Sequence, residues 1–242
     1  MKLYTGCCGF PISMKKYFQE FSTVEVQQTF YKIPRESTLK KWREQAGKDF
    51  VFNIKCFQGV THPLSSPTWR RFGVKPKGTY GSLQPSKEVF ESWEATLKAA
   101  SILEAKIILI QLPASFKENE ESFSNAEKFF SEIDRDNFDI AIELRRWSEN
   151  GIKKLCKKFE LIDCCDINVR EPVYLTKKKI LYTRLHGAYN NGKIIYSYSY
   201  SENELRNVAE KIKKTKAEDA WIYFNNSDMY RNAKTFLKIF GF

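Results

Sequence analysis

The sequence predicts one α/β domain over residues 1–242, a (β/α)8 TIM-like barrel with a long loop after its third strand. Three observations lead there. Eight short β-type runs alternate, for the most part, with helical runs, the pattern of a parallel sheet. The 242 residues match the ~250 of one such barrel. Charged and amide residues also recur at the C-terminal ends of the strands, where a strand covered on both sides is otherwise apolar.

Lys2–Thr5 reads as the first strand, and the small-residue loop Gly6-Cys-Cys-Gly9 follows it. Ser22–Val26 is the second, with Thr23, Glu25 and Gln27 on one face. Gln28-Thr-Phe-Tyr31 follows, and Pro34 closes the connection. Glu36 to Ala46 is a helix ended by Gly47. Asp49–Lys55 is the third strand, and its Val51, Asn53, Lys55 face turns polar at the C-terminal end.

Cys56 to Gln84 lacks either periodicity. It carries Thr61-His-Pro63, Trp69-Arg-Arg-Phe72, Lys75, Lys77 and Tyr80. Aromatics mixed with cations argue for an ordered lid or contact surface in a loop this long. Ser86–Leu103 is a helix, Lys106–Leu112 the fourth strand with Gln111 at its end, and Glu118–Ile133 a helix.

Asp139-Ile-Ala-Ile-Glu-Leu-Arg-Arg146 is the fifth strand and the most informative stretch. A period of two puts Ala141, Glu143 and Arg145 on one face and Ile140, Ile142 and Leu144 on the other. A strand keeps charge in such a place only if the charge is paired or used. Asn150–Phe159 is a short helix, and Leu161–Cys165 the sixth strand with Asp163 and Asp166 near its end. Lys179–Gly187 is the seventh, with Tyr182, Arg184 and His186 on one face. Tyr189 to Tyr200 is an aromatic loop, and Ser201-Glu-Asn-Glu204 a capping box that opens a helix to about Thr215. Ala220–Asn226 is the eighth strand, ending in Asn225 and Asn226, and Met229–Phe240 is the last helix.

Composition narrows the function classes. No apolar run is long enough to span a bilayer, and the N-terminus lacks the apolar stretch of a signal peptide. The expectation is a cytoplasmic protein without a membrane partner. Lys plus Arg number 40 against 29 Asp plus Glu, which favours anionic partners. Lysine runs such as 177–179 fit solvated helix faces and account for much of that surplus. The six cysteines show no Cys-x-x-Cys or zinc-site spacing and are expected as small buried apolar residues.

Several stretches taken together, Val24–Tyr31, Lys55, Thr61-His62, Gln111-Leu-Pro113, Glu143-Leu-Arg145, Arg184-Leu-His-Gly187 and Phe224-Asn-Asn226, resemble the YecE-like family, the domain of unknown function numbered seventy-two. The resemblance runs in order over nearly the whole chain and implies a TIM-barrel-like fold without naming a reaction. A likeness of that family to endonuclease IV, a metal-dependent DNA-repair barrel, is a structural analogy. This chain departs from the family pattern at Thr5–Phe10, where the usual start resembles Gly-Thr-Ser-Gly-Trp, and at Gln27, where an Asn is usual.

Active sites of such barrels lie at the C-terminal strand ends. Glu143, Glu25, Lys55 and His186 are the catalytic candidates there, and Arg145, Arg184, Gln111, Asn225, Asn226, His62 and Tyr31 the substrate-binding ones. Lys55, Arg145 and Arg184 outweigh Glu25 and Glu143, so an anionic, phosphate-bearing ligand is expected. The glutamates and His186 suit general acid–base work. A lysine beside arginines also meets the condition for a lowered pKa and Schiff-base chemistry, the less favoured role. A divalent cation on Glu25 and Glu143 is disfavoured, because neighbouring cations already neutralise them and two histidines are too few for a zinc cluster. The alternatives are a nucleic-acid-binding or nucleic-acid-processing barrel using Trp69–Phe72 and the tyrosine loop, and a non-catalytic anion-binding scaffold.

Overall fold

The computed structural model describes residues 1–73, 76–191 and 193–241; Lys75 lies outside them. Eight parallel strands form the barrel: β1 (Lys2–Cys7), β2 (Thr23–Val26), β3 (Val51–Lys55), β4 (Ile107–Gln111), β5 (Asp139–Glu143), β6 (Ile162–Cys165), β7 (Ile180–Leu185) and, after a hairpin of β8 (Ala188–Asn190) and β9 (Lys193–Ile195), β10 (Asp219–Phe224). The sheet order is β1-β10-β7-β6-β5-β4-β3-β2. One parallel bridge between Cys8 and Glu25 brings its two edges together, reinforced where the Gly9 N–H donates to the Glu25 carbonyl at 2.8 Å. The eight-stranded α/β barrel expected from the sequence is thus present.

Helices α1 (Met14–Glu20), α2 (Gln28–Tyr31), α3 (Glu36–Ala46), α4 (Gln58–Thr61), α5 (Lys87–Leu103), α6 (Glu120–Glu132), α7 (Glu149–Phe159), α8 (Glu202–Lys214) and α9 (Met229–Phe240) connect the strands. The alternation of the strands sorts their side chains into two cores. Ile108, Ile110, Ile140, Ile142, Leu181 and Ile222 face the helices. Ile107, Leu109, Ala141, Cys164, Tyr182 and Tyr223 face the barrel interior.

Helix starts follow the polar caps in the sequence. Ser86, Asn119, Ser148 and Ser201 each accept a backbone N–H at an N-terminus, satisfying donors the helix leaves free. Ser201 and Glu204 form the reciprocal capping box. Ser201→Ala is expected to lower the unfolding free energy by about 1 kcal/mol in urea denaturation.

Four features depart from the sequence reading. Helix α1, preceded by Pro11 and Ser13, fills the first connection, where none was expected. The β5 strand stops at Glu143, so Arg145 and Arg146 belong to the loop beyond it. Residues 189–200 begin with a two-stranded hairpin rather than an unstructured aromatic loop. The long loop after β3 holds α4 and a 3-10 helix, Pro67–Phe72. Trp69 is its buried centre, packed on Phe57, Phe72 and Tyr80, with its indole N–H donating to the His62 carbonyl at 3.0 Å. Gly81 adopts φ +85°, and a Cβ there would lie 2.2 Å from the His62 backbone, so this close crossing requires glycine.

The crossing from β6 to β7 has no helix. Asp163 takes its place: the Arg170 guanidinium donates two 2.6 Å bonds to its carboxylate and the Val173 N–H a third at 2.8 Å. All six cysteines are free and buried, in line with their expected role. None of the helices in the described residues is long and apolar enough to cross a membrane.

Candidate functional site

The barrel interior grades from apolar to ionic along its axis. At the N-terminal end Tyr4 stacks on Trp221, with ring centroids 3.8 Å apart. One layer up, the Tyr223 hydroxyl meets Thr23 at 2.6 Å and accepts from the Asn53 amide at 3.0 Å. Above it the Tyr182 hydroxyl donates to Glu25 at 2.7 Å. The inward residues of the C-terminal layer are then Glu25, Lys55, Gln111, Glu143 and Arg184.

Arg184 organises this layer. It is 1% exposed. Its Nη1 donates to Glu143 Oε2 at 2.6 Å and to Gln111 Oε1 at 3.1 Å. Its Nη2 lies 3.0 Å from Glu25 Oε1 and 3.6 Å from the Cys8 sulfur. Glu25 also accepts from Tyr182 and from the Gln27 amide, so both of its carboxylate oxygens are engaged. Glu143 accepts from Arg145 Nε at 2.6 Å on its other oxygen. Burial alone pushes the Glu143 carboxyl up, but Arg145 and Arg184 override it and hold it well below the usual range.

His186 lies at the rim of this network. Its Nε2 is 3.8 Å from Glu143 Oε1 and 3.5 Å from Arg184 Nη1. Its Nδ1 faces Asp166 Oδ2 across 3.5 Å and has no formed hydrogen bond among the described residues. Asp166 is held by the His186 N–H at 3.1 Å, the Asn168 N–H at 3.0 Å and the Tyr189 hydroxyl at 3.2 Å.

On the β3 side, Lys55 is 7% exposed. Its Nζ sits 3.8 Å from the centre of the Phe30 ring. Phe30 meets His62 and Tyr31 edge to face, and the Arg71 guanidinium lies 4.5 Å over Tyr31. Burial, then the Arg184 cation, pulls the Lys55 amine down to about 7. Burial, with Lys55 and Arg145, pulls His62 down to about 3, so that ring is neutral at ordinary pH.

A cavity of about 400 Å³ opens beside this layer, walled by Glu143, Arg145, Arg146, Cys164, Cys165, Asp166, Arg170, His186 and the hairpin residues Tyr189, Lys193 and Tyr196, among others. Arg170 is engaged by Asp163. Arg145, Arg146 and Lys193 then outnumber Glu143 and Asp166 on the wall. A larger groove, about 860 Å³, lies on the far side of Tyr189, between the hairpin and α8. Among the described residues no group of three His, Cys, Asp or Glu is placed to hold a metal ion. Glu25 and Glu143 are joined through Arg184 instead.

A family model described as "Protein of unknown function DUF72" matches residues 5–241. The chain belongs to the DUF72 family. Among solved structures, a DUF72 protein of Enterococcus faecalis is 19% identical, with a TM-score of 0.76 over 99% of this chain and 96% of that one. A DUF72 protein of Thermotoga maritima is 18% identical, with a TM-score of 0.67 over 99% of both chains. Endonuclease IV of Thermus thermophilus is 12% identical, with a TM-score of 0.56 over 98% of this chain and 99% of that one, which is a likeness of fold. Among curated proteins none matches this sequence.

Of the residues singled out by sequence, this DUF72 barrel brings Glu25, Lys55, Gln111, Glu143 and Arg184 into one layer, with Arg145 and His186 at its rim and His62 and Tyr31 edge to face with Phe30. Arg184, Glu25, Gln111, Lys55, His62 and Tyr31 are not on the cavity wall. Asn225 follows β10, its N–H donating to the Leu185 carbonyl at 2.8 Å. Asn226 turns outward and donates to the Tyr198 carbonyl and to Asn232, both at 2.7 Å, pinning the loop that follows the hairpin.

Asp166, Arg146, Lys193, Tyr189 and Tyr196 complete the DUF72 mouth and escaped the sequence list of site residues. Asp166 follows β6 directly, so the strand-end rule that selected Glu143 reaches it as well. The hairpin residues carry no such signal, because their position depends on where the hairpin folds back.

Proposed function

We propose that this DUF72 protein is an acid–base enzyme acting on a small anionic, phosphate-bearing substrate in the mouth cavity. His186 is the proton-transfer group, Asp166 orients it, and Arg145 is the anion clamp. The observation that carries the reading is the placing of His186 between Asp166 and Glu143 on the wall of a cavity with a cationic surplus. A ring nitrogen with no formed hydrogen bond, next to a guanidinium, is what general acid–base catalysis on an anion needs. Glu25 acts differently in this reading: its carboxylate, engaged on both oxygens, holds Arg184, and Arg184 in turn fixes Glu143.

The chain has two histidines, so proton NMR follows His186 individually. At constant ionic strength, inorganic phosphate is expected to shift the His186 Hε1 resonance saturably. Arg145→Ala is expected to weaken that binding about tenfold, the loss of one charge-assisted contact. A His186 signal that ignores phosphate, or equal affinity in Arg145→Ala, would reject the proposal.

The exposed Tyr189 and Tyr196 beside Lys193 and Arg146 favour a second reading, a single-stranded nucleic acid laid across the rim. Trp69 does not take part in it, since its ring is buried within the loop. Steeply salt-dependent oligonucleotide binding that Tyr196→Ala abolishes would select this reading.

A further inference from the structure

We infer that Lys55 is a nucleophilic amine that condenses with the carbonyl carbon of an anionic carbonyl compound held at the barrel mouth. The inference rests on the anion-binding reading above and adds the class of substrate.

The geometry around Lys55 is unusual for a lysine. Its stem rises inside the barrel from β3, and its Nζ lies against the Phe30 face at 3.8 Å. Among the described residues it has no hydrogen-bond or ion-pair partner, although the Glu25 and Glu143 charges are felt there. Both carboxylates are taken up by Arg184 and Arg145 instead. A buried ammonium without an acceptor is costly, and a Met or Leu would fill the same space without that cost. The Phe30 face favours the ammonium modestly, but no oxygen acceptor offsets the rest of the cost, which brings the neutral amine, whose lone pair is the nucleophile, within reach. Burial and Arg184 bring the amine into the range where an unprotonated fraction exists near neutral pH. Lys55 is not itself on the cavity wall, but it shares the inward C-terminal layer with Glu143, which is, and it keeps 7% of its surface open. Neutral His62 adds no positive charge over the amine.

The step balances without an oxidant or metal. The Nζ lone pair attacks the carbonyl carbon, a C–N bond forms, and the C=O π pair moves to oxygen. A proton passes from nitrogen to that oxygen, giving a carbinolamine. The nitrogen lone pair then forms C=N, and the hydroxyl leaves as water with one proton drawn from solvent. The product is a protonated imine on Lys55.

Cyanoborohydride trapping with two small aldehydes tests this: glyoxylate, which carries a carboxylate, and neutral glycolaldehyde. Peptide mass mapping reads the site. With glyoxylate, Lys55 is expected to be alkylated at least tenfold faster than the surface lysines at neutral pH. Its rate should rise through pH 7 and level off, while surface lysines keep accelerating to pH 10. Glycolaldehyde should react at Lys55 at least tenfold more slowly than glyoxylate. Lys55 left unmodified, or modified no faster than its surface counterparts, overturns the inference even where phosphate still shifts His186. Equal rates with the two aldehydes overturn the anionic substrate class and leave the amine reactive. Those results separate failure of the amine from failure of the anion pocket.

Discussion

Arg184→Met is expected to lower the unfolding free energy by about 3–5 kcal/mol, measured by urea denaturation at pH 7. The magnitude follows from what remains behind. Arg184 is the shared cation of Glu25 and Glu143, and both carboxylates are buried. Removing it leaves Glu25 with only tyrosine and amide donors and Glu143 with Arg145, the weak Cys164 thiol donor and the more distant His186. Methionine replaces the stem but supplies no donor. Adding Glu143→Gln to the variant should recover part of the loss, because one stranded charge is then gone; groups that share a network are non-additive in this sense. A loss under 1 kcal/mol, or no recovery in the double variant, would show that Arg184 is not the keystone of this layer.

The second large effect is the pH dependence contributed by Lys55. Its folded pKa, about 7, lies below the ordinary lysine value of 10.5. Between those limits the unfolded chain binds more protons than the folded one, so stability from this group rises as pH rises. The penalty of burying it is full below pH 7 and fades toward pH 10.5. Between pH 7 and 9 the gain is about 2 kcal/mol by linkage. Other buried groups, the tyrosines and cysteines held up by burial, slope the opposite way, so the useful quantity is a difference. The unfolding free energy of wild type minus that of Lys55→Met should climb by about 2 kcal/mol from pH 7 to 9. A flat difference would mean that Lys55 keeps an ordinary amine.

Much of this layer was readable from strand parity. Glu143 on a strand otherwise fit for a core, Arg184 two residues before His186, and Lys55 after Asn53 all announce inward polar faces. Parity gives the face but not the depth. It placed Arg184 correctly inside the barrel, yet whether that guanidinium meets a ligand or two glutamates depends on neighbours from β2 and β5, which are remote in sequence. Asn225 and Asn226 show the limit of the rule: past the end of β10 the two-residue alternation no longer fixes direction, and Asn226 turns to Asn232. The loop after β3 hid its structure because its order comes from Trp69 and a tight crossing at Gly81, not from a repeating apolar pattern. Helix α1 is short and mixes Lys15, Lys16 and Gln19 with aromatics, so its period is faint.

The stacked Tyr4–Trp221 pair has a consequence for traffic. With two flat rings closing the far end, the barrel has no through-passage, and whatever enters from the hairpin side must leave by the same route. Any water released inside shares that exit with incoming molecules. Tyr189 and Tyr196 stand on the wall beside that one exit, so for the proposed enzyme stiffening the hairpin is expected to slow ligand departure.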